Sequence, residues 1–280
     1  MQRRSEWLPH LVIWLGIAIT AFPIYQAFIA TTWMPPDLAQ APVPVLPGPY
    51  GLDNFARVLF DGGTSKVGTT PVGVMMWNSL VMALAITLGK IAISLLSAYA
   101  VVFFQFPGRM ICFWLIFITL MLPVEVRIVP TYQVVVDLGM LNTFAGLTVP
   151  LIASATATLL FRQFFLTIPD ELVEAAKIDG AGPMRFFKDT VVPLSATNMA
   201  ALFVILFIYG WNQYLWPLLI APAAEMDTVV LGIKKMMGGA DAPTDWNLVM
   251  ATALLALLPP VAVVVLMQRW FVKGLVDQEK

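Results

Sequence analysis

Long apolar stretches constrain this chain more than any other feature of its sequence. Residues 11–30 are 20 consecutive residues without a charged side chain, about the length of helix that crosses a hydrocarbon core of roughly 30 Å. Five further apolar stretches lie at about residues 72–104, 110–129, 144–165, 199–220 and 248–267. Because each stretch is long enough to cross a bilayer, the sequence predicts a single all-α membrane domain over residues 1–280 with six transmembrane helices.

The composition excludes several other classes of protein. Only 12% of the residues are charged, against about 25% in an ordinary soluble domain. The net charge of -1 offers no basic surface for nucleic acid. Cys112 is the only cysteine, so neither a disulfide framework nor a thiolate metal site is available. The sequence shows no convergent His, Ser or paired carboxylate cluster, and we therefore predict no catalytic site and no metal site.

The distribution of Lys and Arg predicts the orientation. Arg3 and Arg4 precede the first apolar stretch as in a signal peptide, but no A-x-A cleavage pattern follows, so we expect a retained first span. With the N-terminus inside, ten of the 16 basic residues lie in inner segments, five lie in outer segments, and Lys90 lies within a span. Cytoplasmic loops carry the excess of Lys and Arg. Both termini are therefore expected to face the cytoplasm.

The first outer segment, residues 31–70, contains six prolines among its first 19 residues. Such a density of proline disfavours a helix and predicts an extended external loop. Leu52 to Phe60 is the one part of it that we expect to form a short amphipathic helix.

The longest inner loop, about residues 167–193, has the signals of two short helices around a tight turn. Pro169 suits a first helical position, and acidic Asp170 and Glu171 favour the positive end of a helix. Gly180 supplies the left-handed geometry that commonly terminates a helix. Pro183 is then expected to begin the second helix.

The first of these helices is predicted to present a docking surface. Glu171, Glu174 and Ile178 fall on one face at helical spacing, and Ala175 and Ala176 are small enough to let another surface approach closely. An amphipathic helix lying on the membrane is the alternative interpretation.

Glu174-Ala175-Ala176, three residues, Gly180 and then Pro193 resemble the cytoplasmic EAA loop of ABC importer permeases. The resemblance implies a type I ABC importer permease fold in which this loop is a coupling helix seated in a separate ATPase subunit. It assigns ATPase coupling to Glu174, Ala175, Ala176, Asp179 and Gly180. Thr190 and Val192 fill positions that are hydrophobic in the family, and Gly182 stands where a capping Ser is usual.

The resemblance extends over the whole chain. Similarity to the carbohydrate, or maltose-type, subfamily is carried by Asn78-Ser79, Met121-Leu122-Pro123, Pro130, Trp211-Asn212, Trp216-Pro217, Gln268-Arg269 and Gly274-Leu275. A narrower similarity, to the second membrane subunits of sn-glycerol-3-phosphate importers, is carried by residues 122–127, 161–165 and 209–214 and by the tail Gly274-Leu275-Val276-Asp277.

These resemblances imply a multi-pass permease subunit of an importer in the bacterial inner membrane, contacting lipid and carrying sn-glycerol-3-phosphate or glycerophosphodiesters. A sugar or oligosaccharide is the alternative solute. The implied partners are a second similar membrane subunit, two ATPase subunits and an extracytoplasmic solute-binding protein. No G-x-x-x-x-G-K-[ST] loop occurs, since Gly89-Lys90 is followed by Ile91. We therefore expect no cofactor in this chain, with ATP and Mg²⁺ on the ATPase partners.

Polar residues within the apolar stretches are candidates for the solute pathway: Lys90, Glu125, Arg127, Asn212, Gln213 and Tyr214. A cation near the middle of a membrane helix costs about 2.5 to 3.5 kcal/mol on insertion scales, so Lys90 should face protein or a water-filled cavity. A structural ion pair and a cavity lining are both open for Lys90, and interhelical hydrogen bonding is the alternative role of Asn212 and Tyr214. Glu125 is the only intramembrane carboxylate for ion coupling, which gives little support to a secondary transporter.

Overall fold

The computed structural model describes residues 7–62, 70–119, 122, 124–238 and 244–276, and it shows no β-strand in that part of the chain. Its helices, in chain order, are α1 Trp7–Thr31, α2 Pro35–Leu38, α3 Gly51–Asp61, α4 Val72–Phe103, α5 Arg109–Ile118, α6 Val124–Asp137, α7 Phe144–Thr148, α8 Ala155–Phe165, α9 Asp170–Ile178, α10 Pro183–Phe186, α11 Val192–Leu194, α12 Ala196–Trp211, α13 Leu215–Ile220, α14 Val229–Met236 and α15 Trp246–Val276.

Three helices in the described part of the chain are long and apolar enough to cross a membrane: Trp7–Thr31, Val72–Phe103 and the first 23 residues of α15, Trp246–Gln268. Two bent pairs pass the same test only when each pair is taken as one span. The first joins Phe144–Leu151 to Ala155–Phe165 with a 46° bend, and the second joins Pro183–Leu194 to Ala196–Trp211 with a 70° bend. The structure therefore holds three to five candidate spans, and the number six stays a prediction.

The third, fourth and fifth expected spans are interrupted rather than continuous. Residues 110–129 divide between α5, which ends at Ile118, and α6, which begins at Val124. The fourth breaks before Ala155, where the Ser154 hydroxyl accepts a hydrogen bond from the Ala157 N–H and caps α8. The fifth ends at Trp211 and resumes only at Leu215.

The chain folds as two compact units, and the first comprises residues 1–77 and 227–258. Part of the loop expected to be extended is helical here. α2 begins with Pro35 and Pro36, because the first helical turn tolerates residues without an N–H donor. The expected amphipathic helix is present as α3, and its buried Asn54 donates from Nδ2 to the carbonyl oxygens of Thr31 (2.8 Å) and Trp33 (3.1 Å).

An ion pair between partly exposed Lys235 and buried Asp227 joins the end of α14 to the segment that precedes it in the same unit. Lys235 Nζ donates to both carboxylate oxygens of Asp227, at 2.7 and 2.9 Å. Burial raises the pKa of the Asp227 carboxyl above its ordinary value, although the hydrogen bonds and charge of Lys235 oppose that shift.

The second unit, residues 78–226 and 259–280, contains the inner loop and most of the polar candidates. Two hydrophobic clusters build its core. One gathers α4, α8, α10 and α12 around Tyr99, Phe161 and Phe186, and the other gathers α4, α6, α7 and α13 around Ile86 and Trp216. Both clusters therefore include the long helix α4.

Candidate functional site

Lys90 lies on α4 at the point where the two hydrophobic clusters of the second unit meet. Ile86, one turn before it, belongs to one cluster, and Ile91 belongs to the other. The Lys90 side chain is only 7% exposed, and its Nζ lies 3.8 Å from the centroid of the Tyr209 ring on α12. The lysine is thus a buried cation resting on an aromatic face.

This contact does not offset the cost of the charge. A desolvated cation–π contact contributes about 2 kcal/mol, and a lysine at the centre of a membrane helix costs about 2.5 to 3.5 kcal/mol. Among the described residues the ion pairs are Arg185–Asp189 and Lys235–Asp227, neither of which involves Lys90. Of the two roles that the sequence leaves open for Lys90, the geometry favours the lining of a cavity.

That cavity has a volume of about 170 Å³ and contains a second cation. Arg127, in the first turn of α6, lines it together with Lys90, and the two positive charges repel each other. The remaining lining residues are Ile128, Thr131, Pro150, Leu151, Ala153, Tyr209, Gln213, Leu215 and Trp216. The site is therefore a small positively charged cavity with apolar and amide walls.

Interruptions in the helices border this cavity. Pro150 and Ala153 come from the break between α7 and α8, and Gln213 comes from the break between α12 and α13. Non-helical backbone at membrane depth is tolerated only where protein buries it or where it lines a cavity that holds water. The indole of Trp216 fixes one wall, because its Nε1 donates to the Gly146 carbonyl oxygen at 3.1 Å.

Of the residues that the sequence nominates for the pathway, the structure brings together Lys90, Arg127 and Gln213. The side chain of Glu125 lies outside the part that the structure describes. Asn212 is the exposed residue that terminates α12, and neither it nor Tyr214 is among the lining residues.

Sequence reasoning missed Tyr209, which supplies the aromatic face. Two signals were available: its position in an otherwise apolar stretch, and its place in the 209–214 segment that carries the narrower resemblance. Gln213, which the sequence groups with Asn212 and Tyr214, does line the cavity, and its Nε2 donates to the Tyr209 carbonyl oxygen at 3.1 Å.

The inner loop has the two-helix form that its sequence predicts. Its first helix, α9, ends at Ile178, and the expected left-handed conformation of Gly180 is confirmed by a φ of 71°. The Ala181 N–H donates to the Ala176 carbonyl (2.8 Å) and the Gly180 N–H to that of Lys177 (3.0 Å), which together form a Schellman motif. Pro183 begins α10 as expected, whereas Pro169 caps α9 rather than entering it.

The two faces of α9 have different surroundings. Val173 and Ala176 pack against the cluster around Tyr99, so Ala176 contacts this chain's own core. The opposite face exposes Glu171, Glu174, Ala175 and Ile178, with Asp179 exposed at the end of the helix. Ile178 is 86% exposed, and Met184 on α10 is 67% exposed. Exposed apolar groups of this kind suit a contact with another protein or with a membrane surface.

One helix contacts both the cavity and the inner loop. Tyr99 on α4 donates from its hydroxyl to the Pro183 carbonyl oxygen at 2.7 Å. Its ring lies 4.8 Å from the Phe187 ring. Tyr99 is nine residues from Lys90 on α4, which places them about 14 Å apart along the axis at 1.5 Å per residue. A displacement of the loop can therefore reach the cavity through a single rigid element.

The sequence profile of one family matches residues 90–277, which include α4 from Lys90 onward, the inner loop and the cavity. That family is described as the binding-protein-dependent transport system inner membrane component. The chain belongs to this family.

Relatives of this inner-membrane family match almost the whole chain. The sn-glycerol-3-phosphate transport system permease protein UgpE of Brucella melitensis is 60% identical over 276 residues, covering 99% of this chain and 98% of that protein. The proteins of the same description are 61% identical in Agrobacterium fabrum, over 98% of this chain and 96% of the relative, and 58% identical in Yersinia enterocolitica, over 97% and 96%.

A solved structure shares the fold of this permease family member. It belongs to a bacterial ABC transporter involved in the import of the acidic polysaccharide alginate, and the two chains superpose with a TM-score of 0.80. The match covers 97% of this chain and 99% of the other at 20% sequence identity. At that identity the comparison shows the fold, and it says nothing about the solute.

Proposed function

We propose that this chain is a permease subunit of an ATP-driven importer that moves sn-glycerol-3-phosphate, or a glycerophosphodiester, into the cytoplasm. The observation that carries the proposal is the identity of about 60% to sn-glycerol-3-phosphate permeases over 97–99% of the chain. The positive cavity supports it, because a phosphate ester entering a low-dielectric site needs cations opposite its charge.

The proposed importer has four kinds of partner chain or surface: a second similar membrane subunit, two ATPase subunits that hold ATP and Mg²⁺, an extracytoplasmic solute-binding protein, and bilayer lipid. This chain crosses the membrane six times with both termini in the cytoplasm. Closure of the ATPase pair moves α9, with Glu174, Ala175 and Ile178 at the contact. α4 carries that rigid-body movement toward the cavity.

Uptake by cells tests the proposed solute. A strain lacking this chain should lose uptake of radiolabelled sn-glycerol-3-phosphate and regain it when the chain is restored, while uptake of a maltose-type oligosaccharide stays unchanged. Uptake should continue after an ionophore collapses ion gradients, provided that cellular ATP is maintained. Loss of oligosaccharide uptake alone would assign a sugar instead, and dependence on the ion gradient would favour a secondary transporter.

Removal of one carboxylate tests the coupling surface. Glu174→Ala should weaken ATPase binding by about 1.5 to 3 kcal/mol, the contribution of a hydrogen bond to a charged group. The measurement is the amount of ATPase subunit retained on the purified membrane complex. Asp189→Ala is the matched control, because Asp189 is also an exposed acid and forms only a surface pair with Arg185 at 3.4 Å. Equal retention by both variants would exclude Glu174 from the contact.

A further inference from the structure

We infer that the cavity formed by Lys90 and Arg127 is a binding site for the phosphoryl group of the solute on its way through the membrane. The inference rests on the proposed function and names the residues of this subunit that contact the solute. It begins from the two cations, which approach each other in a cavity of about 170 Å³. Lys90 is buried and Arg127 is exposed, and a cleft lined by charges of one sign concentrates ions of the opposite sign.

Lys90 and Arg127 are the charged donors of the cavity, and Tyr209 and Gln213, which also line it, offer neutral ones. Thr131 Oγ1 donates to the Arg127 carbonyl oxygen at 2.7 Å, and Gln213 Nε2 donates to that of Tyr209. Among the described residues, no hydrogen bond engages Lys90 Nζ or the Arg127 guanidinium. Lysine offers a compact point charge and arginine a planar fork that bonds two phosphate oxygens at once. The pair therefore suits a phosphoryl group better than a neutral hydroxyl.

The Tyr209 ring forms part of the cavity lining beside Lys90. The Tyr209 ring holds Lys90 in place between transport events, and an entering phosphoryl group replaces that weaker contact with a charge-assisted hydrogen bond.

Thiol reagents of opposite charge measure the cavity directly. The chain carries Gln213→Cys with Cys112→Ala and is studied in the assembled importer in proteoliposomes. Methanethiosulfonates bearing a sulfonate or a trimethylammonium group then modify the new cysteine. The anionic reagent should react about tenfold faster than the cationic one, because a cleft lined by one sign of charge concentrates the opposite ion.

Variants of Lys90 and Arg127 test whether these two cations cause the faster reaction of the anionic reagent. Lys90→Met and Arg127→Met should each reduce the ratio of rates at least threefold, whereas Lys90→Arg keeps it. Arg57→Met, which removes an exposed cation of the other unit, is the matched control and should change nothing. Equal rates with both reagents, a ratio unchanged by Lys90→Met, or no modification of the cysteine would each overturn the inference.

Protection of the new cysteine by added solutes identifies the group that binds in the cavity, and it distinguishes the proposed site from the proposed solute. Millimolar sn-glycerol-3-phosphate and inorganic phosphate should both slow the modification, and glycerol should not. Protection that depends on anionic lipid and ignores the soluble esters would overturn the inference in favour of a headgroup site. If the anionic reagent reacts faster as expected but the importer carries a different phosphate ester, the proposed solute is wrong and the proposed phosphoryl site is still supported. Normal sn-glycerol-3-phosphate uptake by the Lys90→Met, Arg127→Met double variant would reject the site and leave the function intact.

Discussion

The inner loop and the cationic cavity are built in opposite ways. The turn of the loop is set by a few residues close in sequence, among them Gly180 and Pro183. The cavity takes Lys90 from α4, Arg127 from α6 and Gln213 from the break after α12, so no short stretch of sequence contains it. The contrast teaches that the turn of a loop can be predicted from a few neighbouring residues, whereas a cavity of this kind exists only after the helices have packed.

The largest effect is expected from Gly210→Ala, which disturbs the packing behind the cavity. An added Cβ would lie 2.9 Å from the Ala83 Cα, a backbone atom of α4. α4 and α12 must then separate, at a cost of about 1 to 3 kcal/mol for overpacking. Tyr209, the adjacent residue, would shift with α12. Thermal unfolding of the purified complex and sn-glycerol-3-phosphate uptake should both show the loss.

Gly16→Ala is the matched control for that change. An added Cβ at Gly16 in α1 meets no atom within 4 Å, and alanine is the stronger helix former. The control should therefore be neutral or slightly stabilising. The cavity and the loop should also respond independently: Gly210→Ala should reduce uptake while the importer retains its ATPase subunits. Equal stability of the two variants would contradict the close approach of α4 and α12.

Particular residues show how far the sequence could predict this structure. The conformations of Gly180 and Pro183 follow from rules that act within one or two residues, and both are confirmed. The cost of a buried cation marked Lys90 as a residue that needs a special environment. Tyr209 was missed because its role depends on the tertiary approach of α12 to α4.

The breaks within the expected spans could not be predicted from neighbouring residues, because they too depend on tertiary packing. Residues 212–214 lie inside an apolar stretch, and hydrophobicity alone continues a helix through them. Their backbone leaves the helix at a place where Gln213 borders the cavity. The sequence predicts the apolar stretches and the two-helix form of the inner loop well, and it predicts poorly where helices break beside the cavity.

A smaller effect, confined to the loop, is expected from Gly180→Ala. The φ of Gly180 is 71° and an added Cβ meets no atom within 4 Å, so the cost is purely that of a left-handed backbone. That cost is about 1 to 2 kcal/mol. α10 should lose its direction relative to α9, and the membrane complex should retain less ATPase subunit.

Gly182→Ala tests whether the effect of Gly180→Ala comes from its left-handed backbone or from the added side-chain atom. Gly182 also has open space around its Cβ position, but its φ is −70°, which any residue adopts. ATPase retention should stay normal in this variant and be intermediate in Gly180→Asn, since asparagine tolerates the left-handed region. The reagent preference at the cavity should survive in all three. Loss of ATPase from Gly182→Ala at the level seen for Gly180→Ala would show that crowding, and not conformation, governs the loop.

The smallest effect is expected from Tyr99→Phe, which acts on the link between the two regions. The change removes the hydrogen bond from the Tyr99 hydroxyl to the Pro183 carbonyl (2.7 Å) and keeps the ring beside Phe103 and Phe187. The loss is about 0.5 to 1.5 kcal/mol, equivalent to roughly fivefold in an equilibrium at 1 kcal/mol. We expect normal insertion and ATPase retention, but up to about fivefold less solute moved per ATP hydrolysed. Tyr132→Phe is the control, because the Tyr132 hydroxyl forms no hydrogen bond within the described part of the chain. The same ratio of uptake to hydrolysis in both variants would show that α4 carries the movement without this bond.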